Sequence, residues 1–156
     1  MLTRTKAATI ACCTAFGMIG LLGTVAPAAY ATSSGSNCVG TLVEEHDLKA
    51  PSGKVLGYLN LYWDGSTGEN CLTVTSSSID WGIPKRMYAD LYECATDIPT
   101  KCAPVIVQRI DNQPNYRYQA GPISVPAAGH CILFVGGVNF GGEVAYYNGA
   151  EVGSHC

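Results

Sequence analysis

Period-two hydrophobic patterning, closely spaced chain breakers and an even set of cysteines behind an export signal predict an all-β fold: a small, disulfide-stabilised sandwich or barrel of short antiparallel strands. The clearest strand begins at Val55. Val55, Gly57, Leu59, Leu61 and Trp63 alternate with Leu56, Tyr58, Asn60 and Tyr62, which sets a mainly aliphatic row on one face and tyrosines on the other. The turn formers Asp64-Gly65-Ser66-Thr67-Gly68-Glu69-Asn70 end it, and Cys71-Leu72-Thr73-Val74-Thr75 resumes the pattern, so the two runs read as a hairpin.

Further strands are expected at Met87 to Cys94, Val105 to Ile110, Tyr116 to Gln119, Ile123 to Val125, Cys131 to Val135 and Val144 to Tyr147. Breakers bound each of them, as at Asp97-Ile98-Pro99, Asn112-Gln113-Pro114-Asn115 and Gly136-Gly137. Their frequency leaves no room for a helix of average length, and only Glu44 to Lys49 admits a single helical turn. Patterning alone does not choose between sandwich and barrel.

The N-terminus has the composition of a secretory signal. Arg4 and Lys6 precede an uncharged apolar stretch from Ala7 to Val25, and Ala29-Tyr30-Ala31 supplies the small-x-small cleavage pattern, which puts the cut after Ala31. Pro27 and the small residues around it argue against a retained membrane anchor. Cys12 sits too early in the apolar region, with Thr9 three residues before it, to match a lipidation box. The expected organisation is a cleaved signal (1–31), a flexible Ser/Gly-rich N-terminus (32–37) and a single β domain (38–156). That mature part holds seven Lys and Arg against twelve Asp and Glu, with no basic cluster larger than Lys85-Arg86. Nucleic acid and anionic membranes therefore lack the long-range attraction they need, and neither is an expected partner.

Six cysteines remain after the signal is removed: Cys38, Cys71, Cys94, Cys102, Cys131 and Cys156. In an exported chain these read as a disulfide framework. Cys94 and Cys102 enclose the turn-like Ala95-Thr96-Asp97-Ile98-Pro99-Thr100-Lys101 between two expected strands, which predicts a bridge clamping a hairpin loop. The other four allow three connectivities, of which the local one pairs Cys38 with Cys71 and Cys131 with Cys156.

No catalytic constellation stands out. His46, His130 and His155 lack the close spacing of structural zinc sites, and the last two directly precede cysteines; they read as polar neighbours of disulfides, and neither metal nor other cofactor is expected. Gly65-Ser66-Thr67-Gly68 lacks the spacing of a hydrolase elbow. Gly136-Gly137-Val138-Asn139-Phe140-Gly141-Gly142 lies between strands rather than opening a helix, so it reads as a turn and not a phosphate cradle. The pairs Glu44 and Glu45, and Asp90 and Glu93, read as a solvated face. What does stand out is tyrosine. Tyr58, Tyr62, Tyr116, Tyr118, Tyr146 and Tyr147 are the candidates for a binding surface, although β-strands select aromatic residues for packing as well.

Several short elements carry a family resemblance. Asn70-Cys71-Leu72-Thr73-Val74-Thr75, then Tyr118-Gln119-Ala120-Gly121-Pro122-Ile123-Ser124-Val125, then Gly129-His130-Cys131-Ile132 and a C-terminal cysteine resemble the small secreted proteins of streptomycetes called spore-associated protein A. Gly57-Tyr58-Leu59-Asn60-Leu61-Tyr62 is similar to the strand preceding the Asn-Cys element there. The family usually has four cysteines, corresponding to Cys38, Cys71, Cys131 and Cys156, and this chain departs from it by adding Cys94 and Cys102 in a longer middle segment. The resemblance implies an exported protein found with the spore or cell surface of an actinobacterium, and brings no catalytic residues with it.

The sequence thus leads to a secreted, non-enzymatic protein associated with the spore or cell surface. The alternative is a secreted binding module or hydrolase inhibitor that grips a protein or polysaccharide through exposed aromatics and a disulfide-rigidified loop, such as the one carrying Lys101 beside Cys102. A hydrolase ranks last for want of a recognisable nucleophile, base and orienting group.

Overall fold

A computed structural model describes residues 37–95, 97, 102, 105–149 and 155–156. The expected signal segment, residues 32–36 of the N-terminus and Lys101 lie outside the described residues. Among the described residues eight strands run in chain order: β1 (Thr41–Lys49), β2 (Val55–Asp64), β3 (Glu69–Ser76), β4 (Lys85–Cys94), β5 (Val105–Tyr116), β6 (Gln119–Pro126), β7 (Ile132–Phe140) and β8 (Glu143–Asn148). They form two four-stranded sheets, ordered β1-β2-β3-β6 and β5-β4-β7-β8, in which every neighbouring pair is antiparallel.

The two sheets face each other as a sandwich, because each carries one apolar row per strand and only the other sheet can cover it. Leu59 and Leu61 of β2 and Leu72 and Val74 of β3 meet Met87, Ala89 and Leu91 of β4 and Ile132, Phe134 and Val138 of β7 in one buried cluster. A fully buried leucine contributes on the order of 2 kcal/mol, so these rows dominate the fold's stability. The sheets approach closely at Gly136, where a Cβ would lie 2.3 Å from Leu59 Cδ1 and 2.6 Å from Val74 Cγ2.

Three disulfides close the framework: Cys38–Cys71, Cys94–Cys102 and Cys131–Cys156. The local connectivity is therefore the one adopted, and the short bridge joins the end of β4 to the segment leading into β5. The hairpin over Val55 to Thr75 is likewise present, in unbroken register from Gly57 opposite Ser76 to Asp64 opposite Glu69.

Several sequence expectations are corrected. Glu44 to Lys49 forms no helical turn and belongs to β1, because pairing with β2 satisfies its backbone along the whole edge. Asn112-Gln113-Pro114-Asn115 does not end a strand. It runs inside β5, an edge strand, and Pro114 falls at the register shift opposite Lys85–Met87, where no ladder partner asks for its missing donor. The strand expected from Tyr116 to Gln119 is broken in the middle: Tyr116 ends β5, Arg117-Tyr118 is a bend, and Gln119 opens β6. Gly136 and Gly137 lie in mid-β7, and only Gly141–Gly142 turns the chain. At both interior glycines the missing side chain is the point: Leu59 and Val74 press on Gly136 from within, and the Tyr88 ring lies over Gly137 on the outer face.

Candidate functional site

The aromatic residues proposed from sequence do not gather on one surface. Tyr62 is only 6% exposed, on the outer face of β2 opposite Leu42 and Cys71. Tyr116 packs against the core cluster, and its hydroxyl donates to Asp111, whose other carboxylate oxygen accepts from the Gly121 amide at 2.6 Å. Tyr147 stacks on His46 (3.8 Å between ring centres) and on Phe134 (5.4 Å). Tyr58 is half-buried in β2, opposite Asp47 and Thr75. Tyr146 is exposed on the outer face of the second sheet, in the cross-strand row with Gly137, Tyr88 and Asn112. Of the six, only Tyr118 meets a second exposed aromatic ring.

That ring is Trp81, 5.0 Å from Tyr118 and tilted by 57°. Trp81 sits on the connection that carries the chain from β3 in one sheet to β4 in the other, and Tyr118 on the bend from β5 to β6 that returns it. Ile79 and Ile83 flank Trp81 on the same turn. All four side chains are about half exposed, at 52% for Ile79, 52% for Trp81, 45% for Ile83 and 50% for Tyr118. Scattered apolar residues on a surface need no explanation, whereas grouped ones are candidates for a contact site, and the exposed Trp81–Tyr118 contact is one such group.

The turn under this crown is held from below. Gly82 adopts φ +77°, a left-handed conformation that a glycine reaches without strain. Its amide donates to the Arg117 carbonyl at 3.0 Å, and its carbonyl accepts from Arg117 Nη1 at 2.8 Å. The Ile83 amide closes the turn onto the Asp80 carbonyl at 3.2 Å. Beneath lie Asp80 and Lys85, whose side chains are 0% and 1% exposed with Nζ and Oδ2 3.9 Å apart. Lys85 Nζ also donates to Ser76 Oγ at 2.7 Å and to the Arg117 carbonyl at 3.3 Å, and Ser77 Oγ donates to Asp80 Oδ1 at 3.3 Å. One ammonium thus ties together the end of β3, the Trp81 turn and the bend bearing Tyr118.

Burial pushes the Asp80 carboxyl pKa up, against the pull of Lys85 and Ser77, and pushes the Lys85 pKa down, against the pull of Asp80. Both shifts oppose charge, as expected where two ions are taken out of water together. Sequence reasoning missed this site because Ile79, Trp81 and Ile83 lie in a stretch without strand periodicity. A usable signal was present: alternating Ile79, Trp81 and Ile83 in a segment broken by Gly82 and Pro84.

Each of the three histidines pairs with a carboxylate, and Asp90 and Glu93 do not form a solvated face: Glu93 is buried, and Asp90 Oδ1 is buried without a hydrogen-bond partner. His46 bonds Glu44 Oε1, and His155 Nε2 lies 2.6 Å from Glu44 Oε2. Glu44 therefore does not belong to a solvated face. It closes the open side of the sandwich between β1 and β8 together with His46 and Tyr147. Its pKa is lowered: burial raises it, but the hydrogen bonds from His155 and His46 prevail. His130 Nδ1 lies 2.6 Å from Glu93 Oε1. Among the described residues no group of three or more His, Cys, Asp or Glu is arranged to hold a metal ion.

A scan against protein-family models and searches of curated proteins and of solved structures return no match for this chain. Its three disulfides fit an oxidising, extracellular environment. Among the described residues no helix is long and apolar enough to cross a membrane.

Proposed function

We propose that this is a non-enzymatic extracellular protein that attaches to the surface of the spore or cell producing it by docking the Ile79/Trp81/Ile83/Tyr118 crown into an apolar hollow of a surface protein. The observation that carries this reading is an exposed Trp-Tyr pair on a turn whose geometry is fixed beforehand by a buried ion pair. Binding energy concentrates in such rigid aromatic anchors, and little ordering entropy remains to be lost when they dock. A protein partner fits better than a polysaccharide. The two rings are tilted by 57° with exposed isoleucines two residues to either side of Trp81, which is not the flat platform that stacks on a sugar ring. Arg117, exposed at the edge of the crown, suits a partner with carboxylate or carbonyl acceptors around its hollow. The resemblance to spore-associated proteins supports the location.

The test is retention of the purified protein on washed spores and cell walls of the producing organism, with and without prior protease treatment of those surfaces. Trp81→Ala and Tyr118→Ala each lower the retained fraction roughly tenfold or more while the melting temperature stays near that of the wild type, since both side chains are half in solvent. Retention that survives protease treatment, or that is unchanged in both variants, refutes the reading.

A further inference from the structure

The outer faces of the two sheets differ in kind. An antiparallel sheet that packs on one side normally shows water a polar face on the other. The first sheet does so with Glu45, Asp47, Asn60, Thr73 and Thr75. The second does not. Its register lays Tyr88 and Tyr92 of β4, Ile110 of β5, Leu133 and Val135 of β7 and Tyr146 of β8 on one outward surface, with Ile110 55% and Tyr146 61% exposed. Strand pairing keeps these side chains adjacent, and an apolar surface of that kind is a place for contact with another molecule.

Charge selects the partner. Among the described residues only Arg86 and Asp90 bring a charge to this face, and neither has an ion-pair partner there. They stand on β4 two residues to either side of Tyr88. Arg86 is exposed, its Nε donating to Asn112 Oδ1 at 3.1 Å, while Asp90 lies between Ile110 and Val135 with its Oδ1 buried and unpaired. A two-fold axis that crosses the strands at Tyr88 sets the Arg86 of each copy over the Asp90 of the other, so one face supplies both halves of both pairs. We infer that the outer face of β5-β4-β7-β8 is a self-association surface, on which two copies of this chain stack face to face about a two-fold axis through the row of Tyr88, Gly137 and Tyr146.

The geometry permits the pairing. Stacked sheets lie about 10 Å apart and cross at about 30°. Asp90 and Arg86 are each about 7 Å along the strand from the axis, so the crossing displaces them sideways by only about 3 Å, an offset that an arginine side chain spans. The axial row stays low because the Tyr88 ring lies over Gly137, which has no side chain to lift it. Other arrangements serve the carboxylate worse: an axis along the strands between β4 and β7 puts Asp90 over Val135, and one crossing at Asp90 presses two carboxylates together. With the axis at Tyr88, about seven residues on each of four strands overlap, roughly 450 Å² of each face at about 3.3 Å per residue and 4.8 Å per strand. That is below the standard interface size, so the dimer is weak and reversible.

Sedimentation equilibrium of the purified protein from about 1 µM to 1 mM should show a reversible monomer and dimer, with the midpoint inside that range. Arg86→Asp alone sets aspartates against each other and Asp90→Arg alone sets arginines against each other, and each should raise the dissociation constant at least about tenfold. Both changes in one chain exchange the charges and should return the constant to within about threefold of wild type. Tyr146→Glu, on an exposed ring in the axial row, should also weaken the dimer about tenfold. Melting curves establish that each variant is folded, and if Asp90→Arg is not, Arg86→Asp and Tyr146→Glu still decide, because both change exposed side chains. A protein that stays monomeric up to about 1 mM, a dimer indifferent to Arg86→Asp and Tyr146→Glu, or a folded double variant no tighter than the single ones overturns the inference. Retention on spores reads the crown and sedimentation reads this face, so either can fail alone.

Discussion

Replacing Lys85 by Met removes one member of an ion pair whose two side chains are 1% and 0% exposed. The substitution keeps the aliphatic stem and deletes the ammonium, so Asp80 keeps only the hydroxyl of Ser77 as a side-chain donor, while Ser76 Oγ and the Arg117 carbonyl lose contacts of 2.7 and 3.3 Å. Truncating one partner of a buried pair costs about 3–5 kcal/mol, because a lone charge stays out of water. The cost depends on pH in a definite direction. Burial already raises the Asp80 pKa, and without Lys85 to oppose it the shift grows. A carboxyl with a raised folded-state pKa holds its proton more tightly in the native protein than in the unfolded chain. The variant's deficit is therefore smallest below the unfolded-state value near 3.9 and grows as pH rises through the folded-state pKa. Urea unfolding should show the full deficit at pH 7 and a clearly smaller one near pH 4, where the wild-type pair is also weakened by protonation of Asp80. Asp80→Asn combined with Lys85→Met should recover most of the loss by removing the stranded charge. Equal midpoints at pH 7, a deficit that does not shrink in acid, or a double variant no better than Lys85→Met would refute the claim that this pair organises the crown.

Other outcomes follow from the same geometry. Gly136→Ala, whose Cβ would strike Leu59 and Val74 in the core, should cost about 1–3 kcal/mol in denaturant unfolding, whereas Gly137→Ala meets only the outer end of the Tyr88 ring at 2.5 Å and should cost under about 1 kcal/mol as that ring swings aside. Removing the bridges singly, as paired Cys→Ala changes, should destabilise in the order of the separations they close: about 3.7 kcal/mol for Cys38–Cys71, 3.5 for Cys131–Cys156 and 2.5 for Cys94–Cys102 by the chain-entropy relation, since they span 33, 25 and 8 residues. Tyr116→Phe should lose about 1 kcal/mol at neutral pH with its hydrogen bond to Asp111. Burial, the hydrogen bond to Asp111 and that carboxylate's charge hold the Tyr116 phenol pKa well above its ordinary value, so the stability it lends is present below the unfolded-state pKa and declines as pH rises beyond about 10. The Phe variant should show a flatter alkaline limb when unfolding midpoints are compared across that range.

The β class, the Val55-to-Thr75 hairpin and the Cys94–Cys102 clamp were all legible in the amino-acid sequence, because each rests on local rules: alternation of side chains, turn formers, and two cysteines too near in sequence to sit far apart. Locality also singled out the pairing of the remaining four cysteines from three possibilities, although contacts across the fold had to choose it. What the sequence could not say was which apolar residues would be left in solvent. Tyr62, Tyr116, Tyr118 and Tyr147 are chemically alike, yet one is buried on an outer face, one is bonded to Asp111, one is exposed, and one is stacked on His46. Pro114 and the Gly136-Gly137 pair were read as breakers, and both lie inside strands because an edge position excuses the missing donor and close sheet packing requires the missing side chain. The crown joins Trp81 to Tyr118, and the apolar outer face joins Tyr88 and Tyr92 to Ile110, Val135 and Tyr146. Such groupings arise only when distant strands pair and the two sheets pack. Local propensity made the strands, and burial of their apolar faces against each other decided which side chains were left over for function.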